Sequence, residues 1–247
     1  MTLRVDRPLS GCVALVTGAA RRTGRSIALA LAEAGADIAV HYYRSEEEAL
    51  QLVEEISRGG QRAQAIGVDL NDADATAKAF AKVASELGGL DILVNNASGI
   101  IWKSLSQMSI AEWHQGVSET LHITYHACQA ALPFLRQSGQ GRIINLIDVD
   151  ADAIVAVPKL TPYKIGKTGV LMLTRTLAVS EAPFGITVNG LSPGTLNNSE
   201  RKPSLDQIPA GRYGTPEEVA RAAVFLAHPD SSYITGSNLK ISGGYLI

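Results

Sequence analysis

The sequence predicts an α/β fold: a single-domain, doubly wound parallel sheet with helices on both faces. Three observations predict it. Strand-length runs such as Leu90–Val94 (LDILV) are nearly all apolar, the pattern of strands covered on both sides. These runs alternate with helix-length segments, which implies crossover connections and a parallel sheet. No Pro/Gly/Ser-rich linker divides the chain, so residues 1–247 read as one domain.

The elements follow in order. Cys12 to Thr17 is a first strand, and Ser26 to Ala34 has helical spacing that stops at Gly35. Asp37 to Tyr42 is the second strand. Ser45 opens a helix, with Glu48 three residues on as its capping-box partner, and Gly59-Gly60 ends it. Arg62 to Val68 is a third strand and Asn71 to Leu87 an Ala-rich helix; Leu90 to Val94 is the fourth strand. Ile110 to Leu135 is a long helix that tolerates Pro133 only near its end. Arg142 to Ile147, Thr161 to Phe184 and Ile186 to Leu191 are strand, long helix and strand. Thr215-Pro216-Glu217-Glu218 starts a helix with a cap, a first-turn proline and acids facing the dipole. Asn238 to Ile241 is the last strand.

Composition narrows the function. Lys and Arg number 22 against 24 Asp and Glu, a net charge of -2, without the basic excess of a nucleic-acid binder. No stretch approaches a membrane span. Cys12 and Cys128 fit no metal spacing and read as reduced thiols, and MTLRVDRPLS lacks an apolar signal core. A cytoplasmic protein with a small-molecule substrate, and neither nucleic acid nor membrane as partner, is expected.

The first strand runs into Thr17-Gly18-Ala19-Ala20-Arg21-Arg22-Thr23-Gly24, and a helix follows. A doubly wound sheet binds a dinucleotide at this turn, where backbone N–H groups and the positive helix end meet the pyrophosphate. Two arginines in the turn favour that reading over a plain strand-to-helix connection. The second strand ends His41-Tyr42-Tyr43-Arg44-Ser45, without the acid that would bind the ribose hydroxyls of NAD. Arg44 and the Ser45 hydroxyl suit a 2′-phosphate, so NADPH is the expected cofactor. Tyr163 and Lys167, spaced i, i+4, share one helix face. The ammonium can hold the tyrosine's anion and lower its pKa, making the phenol a proton donor to a carbonyl or imine.

With these motifs, Asp69-Leu70, Asn95-Asn96-Ala97, Asn189, Pro193-Gly194, Ile234-Thr235-Gly236 and Gly243-Gly244, the chain resembles the short-chain dehydrogenase/reductase family, of Rossmann fold, from Thr17 to Gly244. The resemblance implies that Tyr163 is the general acid and that Lys167 also grips the nicotinamide ribose. It places Asp69 and Leu70 at the adenine, Asn96 and Ala97 on the adenosine side, and Pro193-Gly194 at the nicotinamide. The expected NADPH-binding set is therefore Gly18, Ala20, Arg22, Thr23, Gly24, Tyr43, Arg44, Ser45, Asp69, Leu70, Asn96, Ala97, Ser98, Tyr163, Lys167, Pro193, Gly194 and Thr195. Family members are commonly homotetramers packed through the two long helices and the last strand.

Three departures from the family pattern stand out. Arg22 replaces a third glycine. Thr120, seven residues beyond Trp113, replaces an asparagine. The usual serine falls on Asp148 counting from Gly141-Arg142, or on Asp150 counting thirteen residues back from Tyr163. Strand register favours Asp148. With Ala-Ala-Arg-Arg-x-Gly-Arg-Ser and Asn-Asn-Ala-Ser, the aspartate is similar to the pteridine reductase branch, and Arg22 would then touch phosphate and heterocycle. A carboxylate beside a developing alkoxide is unfavourable; a pterin's N–H edge would suit it. Ile100, where that branch has a stacking aromatic, points away from a pterin.

The expected function is an NADPH-dependent reductase delivering hydride to a C=N or C=O group of a small planar substrate, such as a dihydropteridine, with Tyr163, Lys167 and Asp148 catalytic. One rival is a 3-oxoacyl thioester or other ketone reductase; another is an NADPH-binding sensor. Glu119, His122 and His126 share a helix face but read as surface or interface residues rather than metal ligands, and Trp102 reads as a core or subunit contact.

Overall fold

The computed structural model describes residues 7–153 and 155–246. The first six residues of the segment read for a signal core lie outside them. Seven strands form one sheet: β1 (Val13–Val16), β2 (Asp37–Tyr42), β3 (Ala63–Gly67), β4 (Ile92–Asn95), β5 (Arg142–Leu146), β6 (Thr187–Pro193) and β7 (Asn238–Ile241). Every pairing is parallel and the order is β3-β2-β1-β4-β5-β6-β7. The order reverses between β1 and β4. A crevice at the carboxyl ends of the strands opens there, the place where open α/β sheets bind ligands.

Helices cover both faces. On one lie α1 (Arg22–Glu33), α2 (Glu46–Arg58) and α7 (Pro216–Ala227), which bury Ile27, Leu31, Leu52, Val219 and Leu226 against the sheet. On the other lie α3 (Ala73–Leu87), the long helix α4 (Ile110–Val117) with α5 (Ile123–Ser138), and α6 (Thr161–Glu181), which bury Phe80, Val83, Leu135 and Leu177. Burying each such side chain contributes roughly 1.5–3 kcal/mol, so the two apolar layers hold the strand ends rigidly. Among the described residues no helix is long and apolar enough to cross a membrane.

Several elements differ from expectation. Helix α1 begins at Arg22, four residues before Ser26, so the end of the glycine turn is already helical. Ser45 is the N-cap of α2 but, at φ -102 and ψ 58, makes no side-chain cap bond, and the Glu48 side chain that would complete the box pairs with Arg21. Thr215 and Glu218 do form a reciprocal capping box. The long helix is interrupted by a π-turn at Ser118–His122. There Thr120 lies against Gly166 of α6, where a Cβ would sit 2.7 Å from the Thr120 Cβ. Below the turn α4 packs on α6, and above it α5 packs on α3.

Candidate active site

The turn after β1 is held by its own neighbours. Gly18 has φ 61, open to glycine without strain. Thr17 Oγ1 accepts the amides of Asn96 (2.9 Å) and Ala97 (3.0 Å). The Asn96 side chain donates back to the carbonyls of Thr17 (2.9 Å) and Gly18 (3.0 Å). Gly18 N–H donates to His41 Nδ1 at 3.0 Å and Ala19 N–H to the His41 carbonyl at 2.9 Å. The amides of Gly18 and Ala19 are therefore spent internally. Those of the first turn of α1 have no intrahelical acceptor and remain for an anion. A Cβ on Gly24 would press into the Gly18 carbonyl and the Asn96 amide, so helix and turn pack closer than any other residue allows.

Beside this turn, at the ends of β2, β3 and β4, a cleft of about 250 Å³ is lined by six of the expected residues: Tyr43, Arg44, Asp69, Leu70, Ala97 and Ser98. It is also lined by His41, Val68 and Gly99, together with Glu119 and Ile123 from the long helix, none of which the motifs indicated. The signal for His41 was available: a polar ring inside an otherwise apolar strand needs partners. It is 2% exposed, and its Nε2 donates to the Val68 carbonyl at 3.1 Å, which fixes the neutral tautomer. Burial, outweighing that bond and the charge of Asp69, pulls its pKa down to about 4.

The arginines divide. Arg21 pairs with Glu48. Arg22 stands at φ 54, a left-handed conformation a side chain rarely adopts, and its guanidinium donates to Glu200 (3.0 Å) and the Asn198 carbonyl (2.9 Å). In this structure Arg22 thus ties the phosphate turn to the segment after β6, instead of facing phosphate or heterocycle. Among the described residues no carboxylate pairs with Arg44, whose guanidinium lies 4.9 Å over the Tyr43 ring at the cleft. A dinucleotide fits these features: first-turn amides for the pyrophosphate, the cleft for the adenosine and an uncommitted cation at its edge.

The side chains expected to be catalytic come from the connection after β5 and from α6. Lys167 Nζ lies 5.7 Å from the centroid of the Tyr163 ring, as i, i+4 spacing requires, and donates to the Leu146 carbonyl at 2.6 Å. Lys167 is 5% exposed, and burial lowers its pKa to about 8. The expected lowering of the Tyr163 pKa is reversed: burial first, then the charges of Asp148 and Asp150, push it well above the usual phenol value. The phenol therefore stays protonated across the working pH range.

The two counts for the serine position converge on one cluster. Lys164 Nζ donates to Asp148 Oδ2 at 2.8 Å and to Asp150 Oδ1 at 2.5 Å. Asp148 follows the strand end by two residues, while Asp150 is reached through the turn bond from Ala151 N–H to the Asp148 carbonyl. Asp148 thus carries a built-in counter-cation, which spacing alone did not reveal. Asp152 pairs with Lys240 at 3.0 Å.

The remaining expected residues lie at the same sheet edge. Ala20 and Thr23 flank the turn, Pro193 ends β6, and Gly194 and Thr195 follow it, with Gly194 packed on Ser242. Asn96 is turned inward onto Thr17 and Gly18 rather than toward an adenosine, because those buried carbonyls need donors. Ser98 Oγ is 3.4 Å from Thr120 Oγ1. Trp102 is no core residue: it is 42% exposed, with Arg201 stacked 4.1 Å from its ring. Glu119 packs on Gly99 and accepts from Gln115, and His126 donates from Nδ1 to the Leu70 carbonyl at 2.8 Å.

Known proteins share this architecture. A family model described as enoyl-(acyl carrier protein) reductase matches residues 18–246. A Staphylococcus aureus protein, 3-oxoacyl-[acyl-carrier-protein] reductase FabG, is 38% identical over 239 residues, covering 94% of this chain and 96% of its own. Its Vibrio harveyi namesake is 35% identical over 244 residues, covering 96% and 98%. Among solved structures, a blue fluorescent protein from a metagenomic library in complex with NADPH superposes with TM-score 0.91 at 32% identity, covering 97% of this chain and 100% of that one. A gluconate 5-dehydrogenase from Burkholderia cenocepacia J2315, in complex with NADP and tartrate, gives TM-score 0.89 at 32% identity, covering 97% of both. With a seven-stranded parallel sheet, a glycine turn at its switch point and a Tyr-Lys pair beside it, the chain belongs to the short-chain dehydrogenase/reductase family of NAD(P)-dependent oxidoreductases.

Proposed function

We propose that this chain is an NADPH-dependent carbonyl reductase whose substrate is a 3-oxoacyl thioester. The observation that carries this reading is the Tyr163–Lys167 pair in a chain that aligns over nearly its whole length with 3-oxoacyl reductases. A lone carboxylate at the serine position would oppose a developing alkoxide by about 4 kcal/mol at 4 Å and an effective dielectric of 20. Lys164, bonded to both Asp148 and Asp150, offsets one of their two charges, so the second carboxylate adds nothing to the charge a lone aspartate would present; the charge left over still holds the Tyr163 phenol protonated and ready to donate. The reading agrees with the names of the relatives that align over nearly the whole chain.

Arg44 and the Ser45 hydroxyl would hold the 2′-phosphate of NADPH at the cleft, and the cofactor would supply the hydride when bound. Tyr163 donates the phenolic proton to the carbonyl oxygen as the carbon is reduced, giving an alcohol and a tyrosinate. Lys167, beside the ring, stabilises that anion. Arg22 ties the segment after β6 to the turn after β1 through Glu200 and the Asn198 carbonyl.

A second reading, dihydropteridine reduction, keeps support from Asp148, a carboxylate able to accept N–H donors. The test is NADPH consumption by the purified protein with acetoacetyl thioester against dihydrobiopterin. Faster turnover of the thioester supports the first reading and faster pterin turnover the second. Tight NADPH binding with neither turned over supports a sensor.

We also assign the exposed stripe on α6 to self-association. Ile165, Met172 and Val179 recur every seven residues and are 45%, 69% and 79% exposed, the pattern of a helix face that seeks a partner. A homo-oligomer built on this face fits the family's habit.

A further inference from the structure

His41 meets the phosphate turn twice. Its ring accepts the Gly18 amide and its carbonyl accepts the Ala19 amide, while the far nitrogen donates to Val68 at the end of β3. On the other side Asn96 donates to the Thr17 and Gly18 carbonyls. The Thr17–Gly18 peptide is thus held at its N–H by His41 and at its C=O by Asn96. Rotation of that peptide would redirect the amides that follow, and a Cβ at Gly18 would lie 3.1 Å from the Ala97 backbone, so the turn has little room to relax. The ring is buried, so no water replaces its acceptor nitrogen.

We propose that His41 is a positioning residue for the dinucleotide: its neutral ring sets the Thr17–Gly18 peptide so that the free amides at the start of α1 converge on the pyrophosphate. The proposal rests on the cleft being the nucleotide site and is independent of the substrate. It requires an acceptor opposite the Gly18 N–H. Ring volume alone does not meet that need.

Two substitutions separate these requirements. His41→Phe keeps a ring and removes both side-chain bonds. His41→Asn loses volume and the bond to Val68 but places a carbonyl oxygen where Nδ1 stands. Full-length protein is titrated with NADPH and with NADH by cofactor fluorescence, and thermal unfolding is followed in parallel. His41→Phe is expected to raise the dissociation constant at least tenfold, equally for both cofactors, because they share the pyrophosphate. His41→Asn is expected to stay within threefold of wild type despite a lower unfolding temperature. Unchanged affinity in His41→Phe, or a tenfold loss in His41→Asn, overturns the proposal, since the ring would then serve packing alone. A loss confined to NADPH overturns it as well, because it would place His41 at the 2′-phosphate. If His41→Phe does not fold, His41→Asn decides: affinity kept with stability lost supports positioning, and affinity lost with stability refutes it.

Discussion

The buried His41 ring makes the acid limb of stability calculable. Folding lowers its pKa from 6.5 to about 4, chiefly by burial, with the Val68 bond and Asp69 opposing. Between those values the unfolded chain binds the proton and the folded chain does not, so stability rises with pH across the window. The contribution is fully present above pH 6.5 and is lost as the pH falls through 4. A difference of 2.5 units (6.5 minus 4) at 1.36 kcal/mol each sets a ceiling of about 3 kcal/mol. His41→Phe removes the titration. Urea unfolding of wild type and variant at pH 7 and at pH 4.5 would give the two slopes. Wild type should lose about 2–3 kcal/mol more than the variant over that interval. Parallel losses would show that the imidazole takes up its proton in the fold without penalty, and the assigned tautomer with its bond to Gly18 would be wrong.

Four further outcomes are expected. Arg44→Ala should weaken NADPH about tenfold to a hundredfold and leave NADH nearly unchanged, the range of one charge-assisted contact, read by fluorescence titration. Lys164→Met should lower kcat on a 3-oxoacyl thioester at least about tenfold by stranding two carboxylates beside Tyr163; Asp148→Ser in the same background should recover most of it, and absence of recovery would remove the charge argument. Glu200→Ala should speed hydrogen exchange in 195–208 while changing global stability by less than about 1 kcal/mol, since the pair with Arg22 is exposed. Met172→Glu should shift the mass measured by light scattering toward the monomer, with the helical circular dichroism intact.

The layers and strand order were legible because apolar runs and amphipathic helices are local signals. Strands β2 and β7 match their expected ranges residue for residue, and the cap at Thr215 behaves as its chemistry dictates. The reciprocal half of the Ser45 capping box failed because Glu48 has a competing partner in Arg21, 27 residues away. The nucleotide edge was legible as a set of strand ends, yet the inward turn of Asn96 was hidden by the need of the Thr17 and Gly18 carbonyls for donors. The link from Arg22 to Glu200 spans 178 residues and has no local signature. Spacing left Asp148 and Asp150 as alternatives; the turn that follows β5 folds both onto Lys164.

The π-turn in the long helix also bears on how the chain can change length. Such a turn carries one residue more than the regular helix around it, and each residue represents about 100° of rotation. Deleting Ser118 would restore a regular helix and swing α4 by roughly that angle relative to α5. Gly116 would leave Pro162, Thr120 would leave Gly166, and both glycine contacts with the tyrosine-bearing helix would be lost together. A change of length inside this helix therefore costs both contacts at once, whereas the connection between β5 and α6 is irregular and carries no helical phase.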